Sequence, residues 1–318
     1  MTGQPPPTLP RLGFLGAGWI GRRRMDALRE AGAGAVAAIA DPALEGCLAS
    51  LDDLLELELD GVVIATPSAL HAQQAMACLG QGLAVFCQKP LGRSAEETAD
   101  VVEAARSADR LLGVDLTYRH SDALVRCREL VAGGEIGDVY AVEACFHNAY
   151  GPDKDWFYDP LLSGGGCVID LGVHIVDLVR WVLDFPEAVA VHARVLHHGY
   201  RAVEDYAVAT VDLATGAVAT LACSWNLPLG KPADLRLTFY GTTGAVAVRN
   251  EGSSYTACSC ELWRGTTRER LVEAREGWEG GAVCAWAARL AEGPRFDEEA
   301  EQLVETARIL DEIAGVPA

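Results

Sequence analysis

The run Gly16-Ala17-Gly18-Trp19-Ile20-Gly21 restricts this chain to few folds, because of what flanks it. Leu12-Gly13-Phe14-Leu15 before it reads as a strand, and Arg22 to Ala31 after it reads as a helix. A second strand, Ala35 to Ala40, ends at Asp41, 20 residues after Gly21. A lone G-x-G-x-x-G is weak evidence. Placed between strand and helix, with an acid closing the second strand, it has the context the motif requires. Gly16 permits the tight turn, Gly18 lets backbone N–H groups approach a pyrophosphate, and Gly21 lets helix and strand pack closely, with Trp19 and Ile20 carried between them. The first part of the chain is expected to bind a dinucleotide. Asp41 can accept hydrogen bonds from the adenosine ribose and would repel a 2′-phosphate, which favours NAD over NADP. No Lys or Arg follows Asp41 closely. Arg22, Arg23 and Arg24 read as solvated helix residues, one of which could still reach a phosphate.

The strand–helix alternation continues, the sign of βαβ units and a parallel sheet. Leu51 to Leu57 reads as a short helix, and Gly61 to Ala65 as a buried strand ending in Thr66-Pro67. His71 lies in the first turn of the next helix, Leu70 to Gln81, where packing that turn and serving a cofactor are equally open readings. The strand Leu83 to Cys87 runs into Gln88-Lys89-Pro90, where Pro90 fixes φ and stops the ladder. Ligands of open α/β sheets bind outside the carboxyl ends of the strands, so Lys89 meets whatever this sheet binds. Alone, such a lysine is more often a solvated charge; the fingerprint upstream and an Asp-His pair downstream reverse the odds. Ser94 and Glu97 form a capping box for a helix over Ala95 to Ala108. A strand over Leu111 to Leu116 ends the alternation.

A boundary is expected at 118, giving a Rossmann-type α/β domain over 1–118 and a second domain over 119–318. Beyond it come a helix (Leu124 to Val131), an alternating strand (Val139 to Phe146) and the block from Ser163 to Asp177. Strands then follow with little helix between: Ala188 to Val195, Tyr206 to Leu213, Ala217 to Asn226, Leu235 to Tyr240, Ala245 to Arg249 and Ser254 to Trp263. This order predicts an α+β C-terminal domain with a large, mostly antiparallel open sheet, closed by an amphipathic helix over Glu298 to Ala314. One flat apolar face of that sheet is expected to need a covering partner or domain. Asp170 and His174 are four residues apart, so on a helix they share a face, which Asp177 extends. A carboxylate beside an imidazole fixes its tautomer and stabilises its charged form, as a general base requires. In isolation a surface polar pair is the commoner explanation. After a dinucleotide fold and a strand-end lysine, the pair is a catalytic candidate.

A net charge of −19 argues against nucleic acid and anionic membrane surfaces as partners, since both demand basic patches. No run reaches the roughly 18 uninterrupted apolar residues of a membrane span. Met1 to Leu9 is Pro-rich and reads as a disordered leader rather than an export signal, so a cytoplasmic setting is expected. The ten cysteines lack C-x-x-C or zinc spacing, so buried thiols are expected and a metal site is not. Cys258 and Cys260 would share a strand face.

These residues together resemble the Gfo/Idh/MocA oxidoreductases. The resemblance rests on the glycine fingerprint, Thr66-Pro67-x-x-x-His71, Lys89-Pro90, Glu135-Ile136-Gly137 and Gly164-Gly165-Gly166-x-x-x-Asp170-x-Gly172-x-His174, in the family's order. It implies NAD(P)-dependent oxidation or reduction of a sugar or cyclitol carbon, a homodimer or homotetramer built through the open sheet, and Lys89, Asp170 and His174 as the catalytic set. One residue departs: the family commonly has Glu before the lysine, where this chain has Gln88. The expected function is NAD-dependent oxidation of a secondary hydroxyl of a sugar, aminosugar, aminoglycoside-like pseudosaccharide or cyclitol. Two alternatives stay open: a glycosidase- or epimerase-like reaction using NAD transiently, and a non-catalytic NAD-sensing protein. Loops from Asn148 to Leu162 and Tyr200 to Tyr206 are expected to shape the pocket. There Lys154 and Arg201 face Asp153, Asp155, Asp159, Glu204 and Asp205, which favours a neutral or cationic substrate.

Overall fold

The computed structural model describes residues 9–199 and 202–316. The expected leader, apart from Leu9, and the pocket residues Tyr200 and Arg201 lie outside the described residues. The chain divides into two units. One comprises residues through Gly92, Glu96–Asp115 and Gly280–Leu303; the other comprises Arg93–Ala95, Leu116–Glu279 and residues from Val304 onward.

In the first unit, β1 (Arg11–Leu15), α1 (Trp19–Ala31), β2 (Ala35–Ala40), α2 (Leu51–Leu55), β3 (Gly61–Ile64), α3 (His71–Gly80), β4 (Ala84–Cys87), α4 (Ala95–Ala108) and β5 (Leu112–Val114) alternate as the sequence predicts. The strands form one parallel sheet in the order β2-β1-β3-β4-β5. Both β3 and β4 are buried along their whole length, as parallel strands covered on two faces are. The order reverses between β1 and β3, which makes this the switch point of the sheet. All carboxyl ends of a parallel sheet share one edge. Gly16, Asp41, Thr66, Lys89 and Asp115 follow those five ends, so topology alone gathers them.

The second unit contains α5 (Asp122–Ala132), β6 (Val139–Asn148), the single turn α6 (Pro160–Ser163), a π-helical turn over Val168–Gly172 and α7 (Val173–Val182). There follow β7 (Ala188–Leu196), β8 (Tyr206–Leu213), β9 (Val218–Ser224), β10 (Ala233–Gly241), β11 (Ala245–Asn250), β12 (Cys258–Arg264) and β13 (Thr267–Arg275). They build one sheet in the order β13-β12-β11-β10-β6-β9-β8-β7, antiparallel except for the β6–β9 pair. Across it, Ala209, Leu221, Ala144, Leu237, Val248 and Cys260 stand in register, all buried, on the side that α5 and α7 pack against. Adjacent residues point the other way. That face reads Thr210, Thr220, Glu143, Thr238, Ala247, Glu261 and Arg270, with Tyr240 donating to Glu143 at 3.0 Å and Arg270 pairing with Glu261 at 3.2 Å. The outward face is therefore mixed and largely polar, not the apolar surface expected.

The apolar stretch Pro160–Val182 is long and apolar enough, by length and composition, to cross a membrane. Gly164–Gly166 interrupt it and every residue of α7 is buried, as in a core helix. All ten cysteines are free; Cys47 and Cys284 are half-buried and the others buried. Burial pushes the Cys258 and Cys260 thiols up to about 12, so they stay protonated and inert.

Strand β13 and helix α8 (Gly281–Glu292) were not anticipated. β13 is an edge strand of charged, mostly exposed residues, so it carries no apolar alternation. Helix α8 does not belong with the second unit, as a single boundary at 118 requires. Its Val283, Trp286, Ala287 and Leu290 join Leu12, Phe14, Met25, Leu28, Val63 and Phe86 in the core of the first unit, with the Trp286 and Phe86 rings 5.6 Å apart. Helix α9 (Gln302–Ala314), preceded by one 3₁₀ turn over Glu298–Glu301, closes the chain as expected.

Candidate active site

The glycine run has the geometry a pyrophosphate needs. Gly16 has φ +91°, and a Cβ there would lie 2.7 Å from the Ala65 carbonyl oxygen. A Cβ on Gly21 would lie 2.3 Å from the Gly16 carbonyl oxygen, so these two positions are closed to side chains. Gly18 differs: a Cβ there would meet nothing within 4 Å. Gly18 caps α1, whose first turn has no side-chain cap and no acid, so its N–H groups remain available to an anion beside that open space. Trp19 is exposed, with the Arg23 guanidinium 5.1 Å from its ring centre, and Ile20 is half-buried. The residues present fit a dinucleotide.

Asp41 is half-exposed and already held: Ala17 N–H donates to its Oδ2 at 2.8 Å and Ala43 N–H to its Oδ1 at 3.0 Å. Each oxygen keeps a lone pair for ribose hydroxyls. The three arginines are not simply solvated. Arg22 Nε donates to the Ala17 carbonyl at 2.8 Å, while Arg24 is buried and ion-paired to Asp115 at 2.5 Å.

Lys89 is half-buried beyond the end of β4, between two fixed neighbours. Gln88, the residue before it, donates from its amide to Asp115 Oδ2, the oxygen that Arg24 also holds. Asp115 Oδ1 is buried and has no hydrogen-bond partner among the described residues. On the other side His71 is buried, with Nδ1 2.6 Å from the Pro90 carbonyl and Nε2 2.7 Å from the Thr66 carbonyl. It therefore straps the Thr66-Pro67 turn to the Lys89-Pro90 turn, the packing role that the sequence left open beside a cofactor-side one. Burial lowers the His71 pKa, the two carbonyls offset part of that, and Lys89 adds to the lowering. Thr66 Oγ1 donates to Gln74 at 2.6 Å, and Pro67 is exposed.

In the second unit, Asp170 is half-buried within the π-helical turn and His174 lies in the first turn of α7. The turn preceding His174 is thus wound as π rather than regular α-helix; π turns recur at functional positions. Trp225 Nε1 donates to Asp170 Oδ2 at 3.1 Å. The buried His174 ring packs edge-on against Tyr118, 5.0 Å between centres, and 5.9 Å from Phe146. Burial pushes the Tyr118 phenol well up, and its hydroxyl donates to the Tyr255 carbonyl at 3.2 Å, so it is a wall rather than an acid. Asp177 does not extend the site; Arg119 grips both its oxygens at 2.9 and 2.6 Å. Glu204 accepts from Gly166 and Val168 N–H at 2.8 and 3.0 Å, and Asp205 accepts from His198 and Gly199 N–H at 2.8 and 2.6 Å. Both acids are spent on backbone, which leaves Asp153, Asp155 and Asp159 as the exposed acids around Lys154.

Comparison with known proteins decides the family. The model of the oxidoreductase family with an NAD-binding Rossmann fold matches residues 11–116, and that of the GFO/IDH/MocA C-terminal domain matches 124–247. A 1,5-anhydro-D-fructose reductase from Ensifer adhaerens is 30% identical over 258 residues, 76% of each chain. The chain belongs to the GFO/IDH/MocA oxidoreductase family. An inositol 2-dehydrogenase from Rhizobium meliloti (strain 1021) is 29% identical over 256 residues, again 76% of each chain. GenD2 from gentamicin A biosynthesis, solved in complex with NAD, shares the fold at a TM-score of 0.80 and 24% identity, covering 99% of this chain and 96% of that one. As a member of this family, the protein is an NAD-binding oxidoreductase that acts on CH–OH groups.

Sequence reasoning took Arg24 for a solvated residue and passed over Asp115, Tyr118 and Trp225. Arg24 follows Gly21 by three residues and adjoins Met25 on the buried stripe that includes Leu28, a periodicity that marks it as inward. Asp115 closes a parallel strand as Asp41 does. The aromatic pair carries no local signal.

The glycine geometry separates binding from stability. Gly18→Ala should leave the melting temperature unchanged while weakening NADH binding about tenfold or more, and Gly21→Ala should destabilise the fold itself. Fluorescence titration with NADH and NADPH, beside thermal unfolding, checks this. The unmodified protein should bind NADH more tightly than NADPH, because Asp41 opposes a 2′-phosphate. A Gly18→Ala protein that binds NADH normally, or a preference for NADPH, contradicts this placement.

Proposed function

We propose that the chain is an NAD-dependent dehydrogenase that oxidises a secondary hydroxyl of a sugar, aminosugar, aminoglycoside-like pseudosaccharide or cyclitol to a ketone, reversibly. What carries this reading is Lys89, a lysine held at the carboxyl end of a parallel sheet whose first turn is built for a pyrophosphate. Removing hydride from a secondary alcohol needs a group to take the hydroxyl proton and a cation to steady the oxygen as charge develops. The bound nicotinamide supplies the hydride acceptor. His174 takes the proton at an imidazole nitrogen, Asp170 favours the charged imidazole that results, and the Lys89 ammonium stabilises the alkoxide. The sugar and cyclitol class is supported by the reductase and inositol dehydrogenase relatives. The reading includes a cytoplasmic setting, testable by fractionation, and association of copies through the outward face of the eight-stranded sheet, measurable by light scattering.

The test is a screen of neutral, amino- and nucleotide-linked sugars and cyclitols, following NADH absorbance. With an accepted substrate, Lys89→Met and Lys89→Ala should lower turnover by roughly 10²-fold while NADH still binds. His174→Ala should fall comparably at neutral pH and recover in part at high pH, where hydroxide replaces the base. Near-normal turnover without Lys89 removes it from the mechanism, and a flat pH response in His174→Ala removes the base.

The charge bears on the substrate. Asp153, Asp155 and Asp159 outnumber Lys154 on the 149–162 loop, and the whole chain carries −19. A cationic substrate is attracted, and salt screens the attraction. For an amine-bearing substrate, kcat/KM should fall as ionic strength rises, whereas a neutral sugar should show little change. Efficient turnover of a nucleotide-linked sugar with amino compounds inert would overturn this.

A further inference from the structure

We propose that Trp225 is a positioning residue for Asp170 and couples the 149–162 loop to that carboxylate; this rests on the reading of Asp170 as catalytic. Trp225 follows β9 and is buried, with its backbone N–H donating to the Asp205 carbonyl at 2.8 Å. Its indole Nε1–H points to Asp170 Oδ2 at 3.1 Å. An indole can only donate, so the bond favours the ionised carboxylate and fixes its orientation. The same ring is touched edge-on by Tyr158, 5.7 Å between centres at 72°, and the Tyr158 hydroxyl donates to the Pro152 carbonyl at 2.9 Å. The next residue, Asn226, holds φ +61° and its Oδ1 accepts the Gly151 N–H at 2.9 Å, while Leu227 N–H reaches the Asn148 carbonyl at 3.1 Å. A Cβ on Gly151 would lie 2.3 Å from the Tyr158 hydroxyl, so loop and ring are closely fitted. The turn after β9 thus latches the loop on one side and holds Asp170 on the other. A change in loop position reaches Asp170 through one indole ring.

The experiment uses the full-length ¹⁵N-labelled protein, which has seven tryptophans. The indole N–H resonance lost in Trp225→Phe is that of Trp225. It should move upfield in Asp170→Asn, where the charged acceptor is gone, and should also shift in Tyr158→Leu. Should Trp225→Phe fail to fold, the comparison of unmodified protein with Asp170→Asn still gives the answer, since an indole resonance must move. If none moves, the proposal is wrong. With an accepted substrate, Trp225→Phe keeps the ring packing and removes only the donor. Its kcat should drop about tenfold with KM little changed, because Asp170 has lost the donor that orients it. Normal kcat and KM, with Asp170→Asn inactive, refute the positioning role and leave the catalytic reading intact. An active Asp170→Asn refutes the catalytic reading instead, whatever the indole resonance does.

Discussion

The first unit depends on one buried carboxylate. Asp115 sits at the end of β5 with its side chain out of solvent, and its Oδ2 holds both the Arg24 guanidinium and the Gln88 amide. Three segments meet there: the helix that follows the glycine run, the strand end that carries Lys89, and the last strand of the sheet. Removing one partner of a buried ion pair typically costs about 3–5 kcal/mol, because a charge is left uncompensated. The contact also gives Gln88 a reason. A glutamate at that position would set a second carboxylate against Asp115, whereas an amide donates to it. The departure from the family's usual residue therefore agrees with the buried acid beside it.

The second unit solves a related problem with backbone instead of charge. Glu204 accepts two N–H groups at the start of the segment leading to Asp170, and the Glu204 carbonyl takes the Cys167 N–H at 2.9 Å. A Cβ on Gly166 would lie 1.8 Å from that carbonyl oxygen, so the glycine is required by the approach. The rings of Tyr118 and Phe146 pack against the buried His174, and Trp278 packs on Tyr118 in turn. Each candidate polar side chain rests on a scaffold fixed by its neighbours, as a site needs if its geometry is to hold during a reaction.

The sequence reveals the elements whose burial is local and hides those fixed at a distance. Strands β3 and β4 are continuous apolar runs closed by Thr66-Pro67 and Lys89-Pro90, so period and punctuation agree. Helix α8 could not be assigned to the first unit, because nothing in its own residues names the sheet it packs on. β13 carries five charged residues in nine and no apolar alternation, since an edge strand needs no apolar face. Arg24 was legible in principle from its place on the buried stripe of α1, yet composition argues for solvent. The spacing of Asp170 and His174 assumed a regular helix; the π turn that carries Asp170 has no sequence signature beyond the glycines before it. Glu204 and Asp205 looked like pocket charges because sequence shows a carboxylate but not the N–H groups it accepts.

Hydride transfer from a secondary carbon to the cofactor is the claim on which the rest stands. Deuterium placed on the reacting carbon of the best sugar or cyclitol substrate tests it directly, with mass spectrometry of both products. The account predicts stoichiometric ketone and reduced cofactor carrying the deuterium, with a slower rate than the protiated substrate gives. An altered or cleaved sugar with no net reduced cofactor would contradict it.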